Sequence, residues 1–256
     1  MYKLIQLILF YILLFCLFIF QLKADSTTNP VNPLQLKATS PTRYQPFLMA
    51  GGLIGYGVAR QGILSLQHLD RDTKAYANRI SPKGTRIDDF MQYTPILAVY
   101  ALDFTGLQAK HNIVDRTQFL STAALLTLLS VHTLKSSVGV MRPDDSNSKS
   151  FPSGHTATAF LGAHMLFKEY KDENIWIASS GYLIAAGTGA LRIINNKHWF
   201  SDVVAGAGFG ILSTELSYLL TPKIKNILNP SKDRRHINIT PELSHHSTML
   251  KATIHF

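Results

Sequence analysis

The sequence predicts an all-α protein: a bundle of about six helices embedded in a membrane, with a short strand-like C-terminal tail. Three observations carry this. The 256-residue chain is 46% hydrophobic and only 16% charged, against roughly 25% charged residues in an ordinary soluble domain. An uncharged run, Leu4 to Leu22, follows Lys3 and has the length of a membrane span or of an export signal. Five further apolar segments, Phe90–Leu107, Phe119–Leu134, Gly154–Phe167, Ile175–Leu191 and Val203–Leu220, are rich in Ala, Leu and Gly and have helical lengths.

Taken in order, residues 1–24 read as a signal peptide or first span. Ala24 followed by DSTTNPVNP permits cleavage, although Leu22 is bulky for the position two residues before it. Either reading carries the rest of the chain across, or onto, the inner membrane of a bacterium-like cell. Residues 25–89 read as a linker and an exposed segment. Ser26–Pro46 is polar and Pro-rich, Pro46–Ala59 is apolar and Gly-rich but short for a span, and Gln67–Asp89 is charged and helical in pattern. Residues 90–221 hold the helical core, and 222–256 form a basic tail. The end of that tail, HINITPELSHHSTMLKATIHF, alternates enough for one or two short strands and carries no chemistry.

Span lengths alone leave two bundles open. Each core segment sits at or just below the roughly 17–25 residues of a spanning helix. Asp103, His132 and Glu215 interrupt three of them, so a water-soluble bundle also fits. Charge placement favours the membrane. With the Pro46 segment on the surface, six spans put AKHNIVDR, KEYKDE and the tail KIKNILNPSKDRRH on the cytoplasmic side, as the positive-inside rule favours.

The formal charge of +9 could serve nucleic acid, an anionic surface or an anionic substrate. Its Lys and Arg are scattered over 74–86, 135–149 and 223–235, with no basic helix and no basic patch interleaved with aromatic residues, which sets nucleic acid aside. The single cysteine, Cys16, excludes an internal disulfide or a cysteine metal site.

Three polar clusters fall at helix ends that this topology brings to one face. KSSVGVMRP closes one segment, SFPSGH opens the next, and LRIINNKHWFSD joins the last two. They supply Lys135, Arg142, Ser153, His155, Arg192, His198 and Asp202, with neither a carboxylate pair nor a cysteine among them. Two guanidinium forks, an ammonium, a hydroxyl and the amides of a helix start suit an anion with several oxygens, and phosphate is the obvious candidate. Each residue also has a plainer reading. Lys135 or Arg142 alone would be a membrane-interface anchor, and Pro152 with Ser153 alone an ordinary helix start. His198 beside Trp199 would be an interface pair, and Asp202 another cap. His132 and His164, off these clusters, read as satisfied bundle histidines. The plainer readings must explain three spacings at once.

Those spacings resemble the type 2 phosphatidic acid phosphatase superfamily, whose signature runs K-x6-R-P, P-S-G-H and S-R-x5-H-x3-D. Lys135 to Pro143 matches the first part, Pro152 to His155 the second, and Arg192, His198 and Asp202 the third. The resemblance covers Phe90 to about Leu220. It implies a helical bundle carrying a metal-independent phosphatase site, with no cofactor, or less often a vanadate haloperoxidase site. It implies His198 as the nucleophile, Asp202 as its partner and His155 as the acid for the leaving group. Lys135, Arg142, Ser153, the Gly154 amide and Arg192 would bind the phosphate. Two departures stand out: Leu191 replaces the serine before the arginine, and eight residues separate Pro143 from Pro152, a short loop that implies an open rim.

The expected function is therefore removal of phosphate from a lipid or isoprenoid phosphate: lipid A phosphate, undecaprenyl diphosphate, phosphatidic acid or phosphatidylglycerophosphate. The first two, bulky outer-leaflet substrates, are preferred for an inner-membrane enzyme whose site faces the periplasm; a periplasmic protein with its signal cleaved is the alternative. The expected partners are the lipid substrate and the membrane, with no nucleic acid. A vanadate-dependent haloperoxidase and a non-catalytic membrane scaffold are the competing functions.

Overall fold

The structure, a computed structural model, describes residues 44–80, 85–228, 237–244 and 247–254. The Leu4–Leu22 run with Cys16, most of the Ser26–Pro46 linker, and residues 229–236 of the basic tail lie outside the described residues. The chain divides into two compact units, residues 1–217 and 218–256.

The first unit is helical. Its elements are α1 (Gln45–Ala59), α2 (Leu64–Ile80), α3 (Ile87–Met91), α4 (Thr94–Ala101) with a 3-10 turn Leu102–Thr105, α5 (Ile113–Val138), α6 (Gly154–Tyr170), α7 (Ile175–Ile194) and α8 (Phe200–Leu228), the last running on into the second unit. Caps set several of these boundaries. Asn112 and Asn174 accept the first free amides of α5 and α7, and Gly139, at φ 68°, ends α5 in the left-handed conformation a glycine adopts without strain. Helix α5 therefore outruns the segment Phe119–Leu134 expected for it.

Phe90–Leu107 is not one span. Pro95 opens a new helix in its first turn, where a missing N–H costs nothing, and Gly106 at φ 86° ends the 3-10 turn. The result is a short helix of eight residues, about 12 Å long, which cannot cross the ~30 Å hydrocarbon layer. Helix α6 forms the centre of the unit. Ala157, Ala159, Leu161, Ala163, Met165, Leu166 and Tyr170 are all buried, and α4, α5 and α7 pack around it.

Among the described residues, α5, α7 and α8 are long and apolar enough to cross a membrane, and α1 with α2 would make a further span but for a 91° bend. The outer surface separates the two bundles left open by the sequence. Leu128 is 66% exposed, Leu183 78% and Trp176 84%, while Glu215 and His164 point inward and are buried. Apolar residues outside and polar ones inside suit lipid as solvent and would be an aggregation liability in water. The structure is consistent with a membrane-embedded helical bundle.

Residues 25–89 are less exposed than expected. Phe47, Ala50, Gly57, Asp70, Ala77 and Asp88 are buried. A Cβ on Gly57 would lie 2.6 Å from that of Ala205, so α1 lies directly against α8 rather than on the surface. The polar pattern of α2 misleads because Asp70 turns inward, accepting from the Ser201 amide at 3.0 Å and its hydroxyl at 2.7 Å.

The second unit holds the end of α8 and an antiparallel hairpin, β1 (Ile237–Ser244) and β2 (Ser247–Ile254), in which Ile237 faces Ile254 and Ser244 faces Ser247. The strand-like tail is thus found.

Candidate active site

The site forms where α5 ends, α6 begins, and α7 turns into α8. Ser153 caps α6, its Oγ accepting from the Thr156 amide, which leaves the first amides of the helix without partners inside it. Two glycines let the flanking helices close on this end. A Cβ on Gly206 would stand 2.6 Å from the Ser153 carbonyl oxygen, and one on Gly189 2.6 Å from Val203 Cγ1. The Ser153 amide also donates to the Asp202 carbonyl at 3.0 Å, tying the start of α6 to α8.

The R-x5-H spacing has a local cause. At the end of α7 the amides of Lys197 and His198 both return to the Arg192 carbonyl, at 3.0 and 3.3 Å, while Asn196 takes the left-handed conformation at φ 56° that asparagine tolerates better than most residues. This closed turn fixes Arg192 and His198 on one rim. Asp202 follows in the first turn of α8, and its Oδ2 lies 3.7 Å from His198 Nδ1, just beyond hydrogen-bond reach. The same Oδ2 accepts from Ser150 Oγ at 2.5 Å and the Trp199 amide at 2.8 Å. Ser150 is a partner that the sequence reading passed over, because nothing in its position marks it.

The loop 139–153 carries Arg142 across the rim. It is tied by Ser150 N to Val140 O at 2.9 Å and by Arg142 N to Asn147 O at 3.0 Å. Lys197 Nζ donates to Asp144 at 2.7 Å; burial opposes ionisation of Asp144, but this bond and those from Ser146 outweigh it and hold its pKa at about 2. Lys135 lies alongside the helix start, its Cε 3.9 Å from where a Gly154 Cβ would sit, and its Nζ donates to the Lys149 carbonyl at 2.9 Å. The structure therefore brings together Lys135, Arg142, Ser153, Gly154, His155, Arg192, His198 and Asp202.

Electrostatics mark this rim as electropositive. Burial, and then Arg192, push the Arg142 guanidinium below its ordinary value. Burial above all lowers the His198 imidazole to about 4; Asp202 opposes the shift, and the charges of Lys135 and Arg192 add to it. His198 is only 2% exposed. At this rim Arg142 Nε, Arg192 Nε, His198 Nδ1 and Asp202 Oδ1 are buried without a hydrogen-bond partner. Unpaired buried polar groups cost roughly 1–3 kcal/mol each, and an anionic ligand would satisfy the two guanidinium nitrogens among them.

Two further carboxylates correct the sequence inventory, which found no carboxylate pair. Asp88, buried on α3, accepts from Arg192 Nη1 at 2.5 Å and from Asn195 at 2.9 Å. Asp89 Oδ1 lies 2.9 Å from His155 Nε2. The charged segment Gln67–Asp89 hid them, since neither lies in a recognisable spacing with the motifs. With His155 they could offer three donor atoms to a metal ion, all within 4.8 Å of one another. Both carboxylates already face the guanidinium of Arg192, at 2.5 and 3.7 Å, so a cation there would meet a fixed positive charge.

Off the site, His164 is satisfied as expected, between Tyr182 OH at 2.5 Å and Glu215 Oε1 at 2.6 Å. His132 differs: it sits on the exposed face of α5.

Comparison with known proteins bears on this arrangement. Residues 117–226 match the PAP2 superfamily. The match holds the ends of α5 and α7, the start of α6 and most of α8, and with them every motif residue of the rim. A lipid A 1-phosphatase of Porphyromonas gingivalis is 38% identical over 142 residues, covering 55% of this chain and 32% of that protein; the chain spans about a third of that relative's length. Two solved structures are similar. The crystal structure of Aquifex aeolicus LpxE has a TM-score of 0.42 and 24% identity over 57% of this chain and 93% of that one. The first transmembrane PAP2 type phosphatidylglycerolphosphate phosphatase from Bacillus subtilis has a TM-score of 0.46 and 20% identity over 71% and 98%.

Proposed function

We propose that the protein is a lipid phosphatase that cleaves a phosphate ester by way of a phosphohistidine. The observation that carries this is the set of buried, unpartnered groups at one rim: Arg142 Nε and Arg192 Nε beside a neutral, buried His198. A ring with a pKa of about 4 keeps its lone pair at neutral pH, as a nucleophile must. In the first step a His198 ring nitrogen forms a bond to phosphorus. The P–O bond to the leaving group breaks, and its electron pair leaves with the oxygen, which takes a proton from His155. Asp202, one helical turn from His198, holds the other ring nitrogen once the 3.7 Å separation closes to hydrogen-bond length. In the second step water attacks phosphorus, its proton passes to His155, and the P–N pair returns to His198. Lys135, Arg142, Arg192, Ser153 and the Gly154 amide hold the oxygens whose charge is redistributed in the transition state. Cationic side chains supply the charge neutralisation, so the reaction needs no divalent ion.

A lipid A phosphate is the preferred substrate, supported by the name of the 38% identical relative, and undecaprenyl diphosphate is the next. The apolar outer surface beside the rim supports a lipid held in the bilayer. The preferred location is the inner membrane with the rim toward the periplasm, which the basic connections at the opposite ends of the helices support. The test is phosphate release by the purified full chain from a panel of lipid phosphates in detergent, with EDTA and with vanadate. Activity that survives EDTA and is inhibited by vanadate, a mimic of the five-coordinate transition state, is expected. Loss in EDTA with recovery on adding a divalent ion would refute the metal-independent mechanism; halide oxidation with vanadate would support the haloperoxidase reading instead.

A further inference from the structure

The mechanism assigns Asp202 to His198 but leaves the second histidine, His155, without a stated partner, and α3 supplies one. Asp89 lies five residues before the apolar helix α4, in a segment the motifs do not touch. Its Oδ1 stands 2.9 Å from His155 Nε2, and its side chain is 48% exposed while that of His155 is 29% exposed. Asp88, its neighbour, is buried and committed to Arg192 and Asn195, which anchors α3 and fixes the place from which Asp89 reaches His155. The two histidines of the rim thus each face a carboxylate, one from α8 and one from α3.

We propose that Asp89 is a positioning residue for the leaving-group acid: its carboxylate holds the His155 ring in place and favours the doubly protonated imidazolium that delivers a proton to the departing oxygen. The inference rests on the phosphatase reading above. The charges around His155 explain the need. Burial and then Arg192 from α7, which lies in the same cluster 3.7 Å from Asp89 Oδ1, disfavour an imidazolium, while Lys135 from α5 runs beside Gly154. His198 and Asp202 stand toward the α8 side. Of the carboxylates on α3, Asp88 is spent on Arg192, so the favourable charge at hydrogen-bond distance from the acid is that of Asp89. During the first step the proton moves from His155 to the alkoxide as the P–O pair leaves, and in the second a proton from water restores it. Asp89 stays ionised throughout and changes only how readily His155 carries that proton.

The test compares wild type, Asp89→Asn and Asp89→Glu as full-length protein in detergent. For an alkyl phosphate, kcat of D89N is expected to fall on the order of 10- to 100-fold with KM within about twofold. For 4-nitrophenyl phosphate, whose leaving group needs no proton, kcat is expected to change by less than about threefold. The basic limb of the kcat profile should move about one pH unit lower in D89N, and D89E should restore part of both. Histidine-selective 15N labelling, with the His155 signal identified by its loss in H155Q, reads the same effect without turnover: its titration midpoint should fall by about one unit in D89N. An unmoved midpoint with an unmoved pH profile overturns the inference. So does a fall in KM with kcat kept, which would make Asp89 a plug that competes with the substrate anion for His155 and Arg192. If wild type releases no phosphate from any ester, the phosphatase reading fails by that result, while the 15N titration still judges the pair.

Discussion

The two ends of helix α6 treat buried charge in opposite ways. At its C-terminal end Glu215 accepts from Lys168 at 2.9 Å and meets His164 at 2.6 Å, and His164 reaches Tyr182 with its other nitrogen. Asp103 there is paired with Arg116 and accepts from the Tyr170 hydroxyl at 2.8 Å, and Glu169 faces His111 at 3.0 Å. At its N-terminal end Arg142, Arg192, His198 and Asp202 each keep a buried polar atom without a partner. Both ends hold titratable groups in an apolar bundle; at the C-terminal end Arg116 Nε alone among these groups is buried without a partner, against four such atoms at the N-terminal end. The difference separates largely closed networks that hold helices together from a more open cluster, which the proposed function assigns to a ligand.

That contrast can be broken by mutation. The largest effect is expected for His198→Ala, which should abolish both turnover and the acid-labile phosphoenzyme, because no neighbouring group replaces the attacking nitrogen. Rapid quench with a radiolabelled phosphate ester reads this directly, and label trapped on the variant would reassign the nucleophile. Asp202→Asn should be milder, about 10²- to 10⁴-fold in kcat, since the ring remains while its orientation and tautomer are no longer enforced; kcat within tenfold of wild type would argue that Ser150 and Trp199 alone account for its burial.

A smaller effect sharpens the electrostatic side. His198 titrates near 4 in the folded protein, against an ordinary value of about 6.5. The unfolded ring therefore binds a proton first as pH falls. The stability this group contributes is fully present above about pH 6.5 and is lost progressively down to about pH 4. In kinetics, phosphoenzyme formation from an aryl phosphate should hold down to about pH 5. A single acid limb near 6.5 that disappears when the pH dependence of the substrate is taken out would agree with this; one that persists would contradict the burial argument.

The smallest effect on catalysis is expected at the closed end. Glu215→Ala should lower stability by about 3 kcal/mol, because it strands buried His164 beside Lys168, yet leave kcat per folded molecule within about twofold. Thermal unfolding in detergent together with active-site titration separates the two quantities. A kcat loss as large as that of the Asp202 variant would dissolve the distinction between the ends.

What the sequence alone determined is whatever rests on spacing along one chain. K-x6-R-P, P-S-G-H and R-x5-H-x3-D each lie within one helix end or one turn, so the local geometry of the Ser153 cap and of the Arg192–His198 turn follows from neighbouring residues, and all eight proposed site residues could be named. The apolar segments placed α5 to α8 for the same reason, and the alternation of the tail placed β1 and β2. What only the tertiary structure decided are the contacts between distant segments. Asp88 and Asp89 are separated from Arg192 and His155 by 104 and 66 residues, and Ser150 from Asp202 by 52; no periodicity connects them. The burial of Asp70 and the packing of α1 on α8 belong to the same class. A polar residue in a charged stretch looks solvent-exposed until another helix end supplies its partner, and burial is a property of the assembled bundle that no local pattern encodes.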